Sequence, residues 1–140
     1  MAALFKKEYQ VKAKDFVSAG EVSANIKRQL KKIGIEPYLI RKIAIASYEA
    51  EINMIIHSYG GVMSIDVDPD TIKIVCSDTG PGIPDINLAM KEGYSTASED
   101  IRSMGFGAGM GLPNMNRNTN KMDIKTSEKG TTITMIFNVE

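Results

Sequence analysis

Apolar and polar positions change period along this chain, and each change marks an element. From Glu8 to Ala13 the two kinds alternate weakly, as on an edge strand, after which Phe16, Ala19, Ser23, Ile26, Leu30 and Ile33 recur at helical spacing until Gly34. A second helix is predicted from Pro37 to about Tyr59, with Ile45, Tyr48, Ile52, Ile55 and Tyr59 as its core stripe and Gly60-Gly61 as its stop. Strict alternation then returns at Met63/Ile65/Val67 and Ile72/Ile74/Cys76, and the intervening Asp68-Pro69-Asp70 is turn chemistry, so the pair reads as a hairpin. Asp85 is placed to cap a short helix running through Glu92, whereas Tyr94 to Met104 is polar and aperiodic, the pattern of an active-site lid. A helix from about Gly109 to Asn118 and a final hairpin, with Ile133, Met135 and Phe137 alternating, complete the order. Strand runs and helix runs in this sequence predict an α+β fold, a two-layer α/β sandwich with a mostly antiparallel sheet and helices on one face.

Composition narrows the class. A chain of 140 residues with 43% hydrophobic content is expected to form one domain over residues 1–140. Lys plus Arg equals Asp plus Glu at 17 each, so there is no general positive field to hold nucleic acid. No apolar h-region precedes Lys6 and Lys7, and no run approaches the roughly 20 residues of a membrane span, so a soluble cytoplasmic protein is expected. Cys76 and His57 are each the only residue of their type, which excludes an internal disulfide and argues against structural zinc. Cys76 and the nine methionines read as core packing, and His57 as a partly buried residue near a helix end.

The chemistry concentrates in three segments. Asp78-Thr79-Gly80-Pro81-Gly82-Ile83-Pro84-Asp85 follows a predicted strand, and Gly105-Phe106-Gly107-Ala108-Gly109-Met110-Gly111-Leu112 opens a predicted helix, where unpaired N–H groups can receive phosphate oxygens. Neither cluster fits a P-loop or a dinucleotide fingerprint in register. Asp78 is positioned to accept a hydrogen bond from an amino group such as adenine N6, and Gly80 and Gly82 would let backbone approach a flat ring. Four alternate glycines, 105, 107, 109 and 111, are entropically costly to order, and close contact with a triphosphate accounts for them. Upstream, Glu49 and Asn53 stand four apart on one helix face. An amide oxygen at Asn53 suits Mg2+, which is held by few protein oxygens plus phosphates and waters, while Glu49 suits the general base of phosphoryl transfer. Glu51, about 200° around the helix from Glu49, is expected to be an exposed charge. Taken alone, D-x-G-x-G also describes a tight turn and Glu49/Asn53 a solvated helix face; their joint occurrence favours a nucleotide site. Arg102 could reach a terminal phosphate, and Ser95, Thr96 and Ser98 could contact phosphate or keep the loop soluble.

In this order the three segments resemble the signature boxes of the GHKL ATP-binding family. Among its members the similarity is to the small serine/threonine kinases of the anti-sigma-factor and stressosome switch type. It runs through Asp78 to Met90, Glu92-Gly93-Tyr94-Ser95-Thr96, Gly107-Ala108-Gly109 and Gly111-Leu112-Pro113, with Arg102-Ser103-Met104-Gly105 closer to the anti-sigma kinases. The resemblance implies Glu49 as catalytic residue, Asn53 as magnesium ligand, and Thr132 as the threonine at the adenine end. The implied nucleotide-binding set is Asn53, Asp78, Gly80, Gly82, Ile83, Thr96, Arg102, Gly105, Gly107, Ala108, Gly109, Met110, Gly111, Leu112 and Thr132. It further implies ATP/ADP and Mg2+ as cofactors and a STAS-domain antagonist as phosphate acceptor. A sigma factor is a further candidate partner, and a homodimer is left open. The alternative is an anti-sigma factor acting by sequestration, with ATP/ADP as a structural ligand; an ATPase without a protein acceptor is the third.

Overall fold

The computed structural model describes residues 5–83, 85–91 and 111–139. Its elements are β1 (Phe5–Val11), α1 (Glu21–Ile33), α2 (Pro37–His57), β2 (Gly61–Val67), β3 (Thr71–Asp78), α3 (Ile86–Ala89), α4 (Gly111–Asn118), β4 (Lys121–Ser127) and β5 (Gly130–Asn138). The strands form one sheet in the order β1-β2-β3-β5-β4, and every neighbouring pair is antiparallel.

Period-two alternation gives this sheet one apolar face. Met63, Ile65 and Val67 of β2, Ile72, Ile74 and Cys76 of β3, and Ile133, Met135 and Phe137 of β5 are all buried there. Helices α1, α2 and α4 cover that face, with α2 flanked by the other two. The two-layer α+β architecture expected from the sequence is the one observed.

Local chemistry explains the helix ends. Pro37 opens α2 at a position whose N–H needs no partner. Its last carbonyls are covered from the β1–α1 connection: Lys14 N–H donates to Ile55 O at 2.9 Å and the Lys14 ammonium to Ile56 O. A cation at a helix C-terminus also complements the macrodipole. At the end of α1, Gly34 adopts φ +92° and its N–H reaches Leu30 O and Lys31 O.

Three sequence expectations change here. Helix α1 starts at Glu21, because residues 17–20 form a turn, although Phe16 and Ala19 still pack against the core. The stripe expected on α2 is too simple, since Tyr59 lies beyond the helix and is 75% exposed, and Ile45 and Tyr48 are also exposed. Ile52 and Ile55 are buried as expected, and burial also runs through Ile40, Ile43, Ala46, Ser47, Ala50 and Met54, as befits a helix apolar on nearly all sides and packed on several. Helix α3 is capped by Asp85, whose Oδ1 accepts from Leu88 N–H at 3.0 Å, but it ends at Ala89.

Candidate functional site

Glu49 and Asn53 lie on α2, both half-buried. Glu49 faces the start of α4: a Cβ added at Gly111 would lie 3.9 Å from its Oε1. Its other oxygen, Oε2, accepts from Asn114 Nδ2 at 2.9 Å, and the Arg117 guanidinium donates to Asn114 Oδ1. The last glycine of the second cluster therefore meets the candidate base directly. Leu112, Pro113 and Met115 are buried and anchor α4 against the core, which sets the position of Asn114 between them. Sequence reasoning did not find Asn114, because its partner sits 65 residues away and only the packing of α4 on α2 joins them.

Asp78 ends β3 beside the start of β5, where its Oδ1 accepts the Thr131 N–H at 3.0 Å. Burial raises its carboxyl above the ordinary aspartate value, partly opposed by that N–H. The neighbouring Cys76 thiol is pushed up to about 12, first by burial and then by the Asp78 charge, so it is an inert core group.

Of the two adjacent threonines, Thr131 and not the expected Thr132 lies beside Asp78. Thr132 points to the open face of the sheet, with its Oγ1 3.4 Å from Ser77 Oγ. Thr131 lies on the helix-covered face with Asp78 and is 6% exposed. Strand parity carried this signal: Ile133, Met135 and Phe137 share a face with position 131 and not with 132. Thr131 Oγ1 also lies 2.8 Å from Thr126 Oγ1, which accepts the Ile83 N–H at 2.8 Å. The chain after Asp78 is thereby tied to the β4–β5 hairpin.

The glycines of the first cluster stand where backbone from other segments packs closely. A Cβ at Gly82, where φ is +79°, would lie 2.1 Å from the Ser127 carbonyl oxygen, and one at Gly80 3.2 Å from Ser58 Cα. Both make room for the protein's own backbone. Gly80 therefore seats the loop on the end of α2, where Tyr59 N–H also donates to Thr79 O at 2.8 Å. Along α2 the order is Glu49, Asn53, then the Ser58–Gly80 contact, about 14 Å from first to last at 1.5 Å per residue.

Glu51 is also corrected. It is 2% exposed, and its carboxylate accepts from the N–H groups of Gly20, Val22 and Ser23 at 3.0, 3.3 and 3.0 Å. Gly20 is an N-cap without a capping side chain, so Glu51 supplies from α2 the acceptor that the start of α1 lacks. His57 is half-buried at the end of α2, and its pKa is lowered by burial and then by the nearby Lys14 charge.

Thr96, Arg102, Gly105, Gly107, Ala108, Gly109 and Met110, together with the rest of the Tyr94–Met104 stretch, lie outside the described residues. Among the described residues no three His, Cys, Asp or Glu side chains converge on a metal position. A cation beside Asn53 would thus be held by its amide oxygen together with ligand oxygens, which fits Mg2+. No helix among the described residues is long and apolar enough to cross a membrane.

Comparison with known proteins agrees with this fold. The Bacillus subtilis serine/threonine-protein kinase RsbT is 31% identical over 107 residues, 74% of this chain and 72% of that protein. The solved structure of the RsbU and RsbW domains of a Mycobacterium tuberculosis protein matches with a TM-score of 0.61 at 17% identity, over 94% of this chain and 31% of that one. This chain thus spans under a third of that longer protein. The SiaB–SiaC complex from Pseudomonas aeruginosa matches with a TM-score of 0.59 at 9% identity, over 96% of this chain and 89% of that one. At these identities the two structures speak for the fold alone. The sequence profile of the histidine kinase-like ATPase domain spans residues 14–137, every helix described above and the sheet apart from β1 and the last residue of β5, and the chain belongs to that GHKL-type family.

Proposed function

We propose that the protein is a Mg-ATP-dependent serine/threonine protein kinase that phosphorylates a STAS-domain antagonist of an anti-sigma factor in a bacterial partner-switching system. The observation that carries this reading is Glu49, fixed through Oε2 by Asn114 with Oε1 toward the start of α4. A carboxylate oriented in this way has one oxygen engaged and one available for a proton. Similarity to a kinase of serine and threonine adds support.

In this mechanism the acceptor hydroxyl oxygen forms a bond to the γ-phosphorus, the bond from that phosphorus to the β–γ bridging oxygen breaks, and ADP leaves. Glu49 Oε1 takes the hydroxyl proton. Asn53 would hold Mg2+ through its amide oxygen together with phosphate oxygens, and the bound cation would offset charge on the phosphates. Asp78 receives the adenine amino group, and the length of α2 between Asn53 and the Ser58–Gly80 contact separates the phosphate end from the base end. The acceptor gains about −1.5 to −2 charge, enough to dissolve one protein complex and release a component for another.

The test is incubation of the chain and its Glu49→Gln variant with labelled ATP and each STAS-domain protein encoded in the same genome. Transfer to a serine or threonine by the wild type and its loss in the variant is the expected result. A STAS protein that binds without accepting phosphate would make sequestration the output.

A further inference from the structure

A cleft of about 640 Å3 runs between α1 and α2, and three cations line it: Lys27 and Lys31, one turn apart on α1, and Arg41 on α2. None of the three makes an ion pair among the described residues. The cleft floor is apolar, with Ile40, Ala44 and Ile45 along α2, and Ile45 remains 39% exposed. At one end the cleft reaches Tyr48 and Glu49.

Helix stability accounts for only part of this charge. Lys31 lies in the last turn of α1, where a cation complements the dipole. Arg41 lies in the second turn of α2, a helix with no acidic residue in its first turn, so its charge adds to the positive end of the dipole. Lys27 has no carboxylate partner among the described residues either. The whole chain has formal net charge zero, so the patch is not a by-product of a basic protein. Cations bordering an exposed apolar strip match the opposite arrangement, carboxylates bordering an aliphatic ridge.

We infer that the α1–α2 cleft is the docking surface for the phosphate acceptor, and that the acceptor meets it with an aliphatic ridge edged by Asp or Glu. This rests on the kinase reading, since the cleft acquires its meaning by ending at Glu49. A protein seated there has part of its surface beside the candidate base, and docking and chemistry share one edge of α2.

The experiment uses the full chain, the double variant Lys31→Glu/Arg41→Glu and the single variant Ile45→Asp, all at exposed positions. Each is assayed with Mg-ATP against every STAS-domain protein of the same genome, with folding checked by circular dichroism and oligomeric state by sedimentation. The expected result is a KM for the acceptor raised on the order of tenfold or more in the double variant, with Mg-ATP affinity unchanged. Wild-type KM should also rise with salt while the double variant responds little. Lysine replacing an acidic residue on the acceptor ridge should restore part of the loss.

Phosphorylation with an unchanged KM in both variants overturns the docking surface and leaves the kinase reading intact. Binding without phosphorylation that is still lost on charge reversal overturns the kinase reading and keeps the surface. A change in self-association with no change in acceptor KM makes the cleft an interface between copies and overturns the proposal. Failure of every STAS-domain protein to bind or accept phosphate overturns both.

Discussion

Asn114 Nδ2 donates to Glu49 Oε2 across 2.9 Å, joining the first turns of α4 to the middle of α2. Through this bond the helix that begins in glycine-rich sequence also orients the candidate base. Asn114 is itself held by Arg117, one turn on. It acts through Glu49, as a positioning residue.

Removing that orientation should slow chemistry more than binding. Asn114→Ala should lower the single-turnover rate of phosphoryl transfer by roughly tenfold or more, since misplacing a reacting group is costly even where binding survives. Mg-ATP affinity should stay close to wild type. Asn114→Asp is the sharper variant: a second carboxylate against Glu49 should move the acid limb of the pH–rate profile to higher pH. A profile that does not move in Asn114→Asp would remove Asn114 from the mechanism.

Glu49 and Asn53 should fail in different ways. Glu49→Gln should retain Mg-ATP binding and lose transfer by about 10²–10⁴-fold, the usual range for a general base. Asn53→Ala should weaken nucleotide binding in the presence of magnesium and have little effect in EDTA. Calorimetry with and without the cation, beside single-turnover phosphorylation, separates a base from a metal ligand. Equal losses of affinity in both variants would contradict the assignment.

Asp78 should trade stability for affinity. Its folded pKa is raised, chiefly by burial, so its contribution to stability is present below the unfolded value near 3.8 and is lost as pH rises through the folded value. At neutral pH the ionised carboxylate therefore opposes folding of the unliganded protein. Asp78→Asn should leave the unliganded Tm at pH 7 equal to or above wild type, an advantage that vanishes in acid. Nucleotide affinity should fall by about 1–3 kcal/mol. Thr131→Val should weaken nucleotide binding while Thr132→Val, on the open face beside Ser77, should not. The reverse ranking of the two threonines would restore Thr132.

Much of the fold was legible because alternation and helical spacing report burial directly. Met63/Ile65/Val67, Ile72/Ile74/Cys76 and Ile133/Met135/Phe137 are the buried rows of β2, β3 and β5. Periodicity misread α2, where neighbours on several sides bury residues off any one stripe. The same effect hid Glu51: an acidic residue on the face opposite Glu49 reads as solvated unless another helix arrives there needing an acceptor. Gly80 and Gly82 were conspicuous in sequence, but the Ser58 and Ser127 backbone that each one admits comes from distant segments. Thr131 is the different case: Thr132 was the one named from the sequence, although strand parity with Ile133, Met135 and Phe137 already puts Thr131 on the face of Asp78. The candidate site was thus visible as residue types in order, while its orientation depended on long-range packing.

The buried Glu51 carboxylate should be the least replaceable charge on α2. It is the acceptor for three backbone N–H groups at the start of α1, and Gly20 provides no side chain to take its place. Hydrogen bonds to charged groups contribute about 1.5–3 kcal/mol each, with overlap among bonds that share one carboxylate. Glu51→Ala should therefore destabilise the fold by about 3 kcal/mol or more in urea denaturation, and Glu51→Gln by less, because the amide keeps one acceptor oxygen. Hydrogen exchange should locate the loss at Gly20, Val22 and Ser23 before it spreads to the sheet. Because α1 forms one wall of the Lys27–Arg41 cleft, Glu51→Gln should also raise the acceptor KM while sparing the affinity for Mg-ATP. An exposed surface glutamate would show none of this, so a Glu51→Ala protein within about 0.5 kcal/mol of wild type would contradict its role as the acceptor that holds α1 against α2.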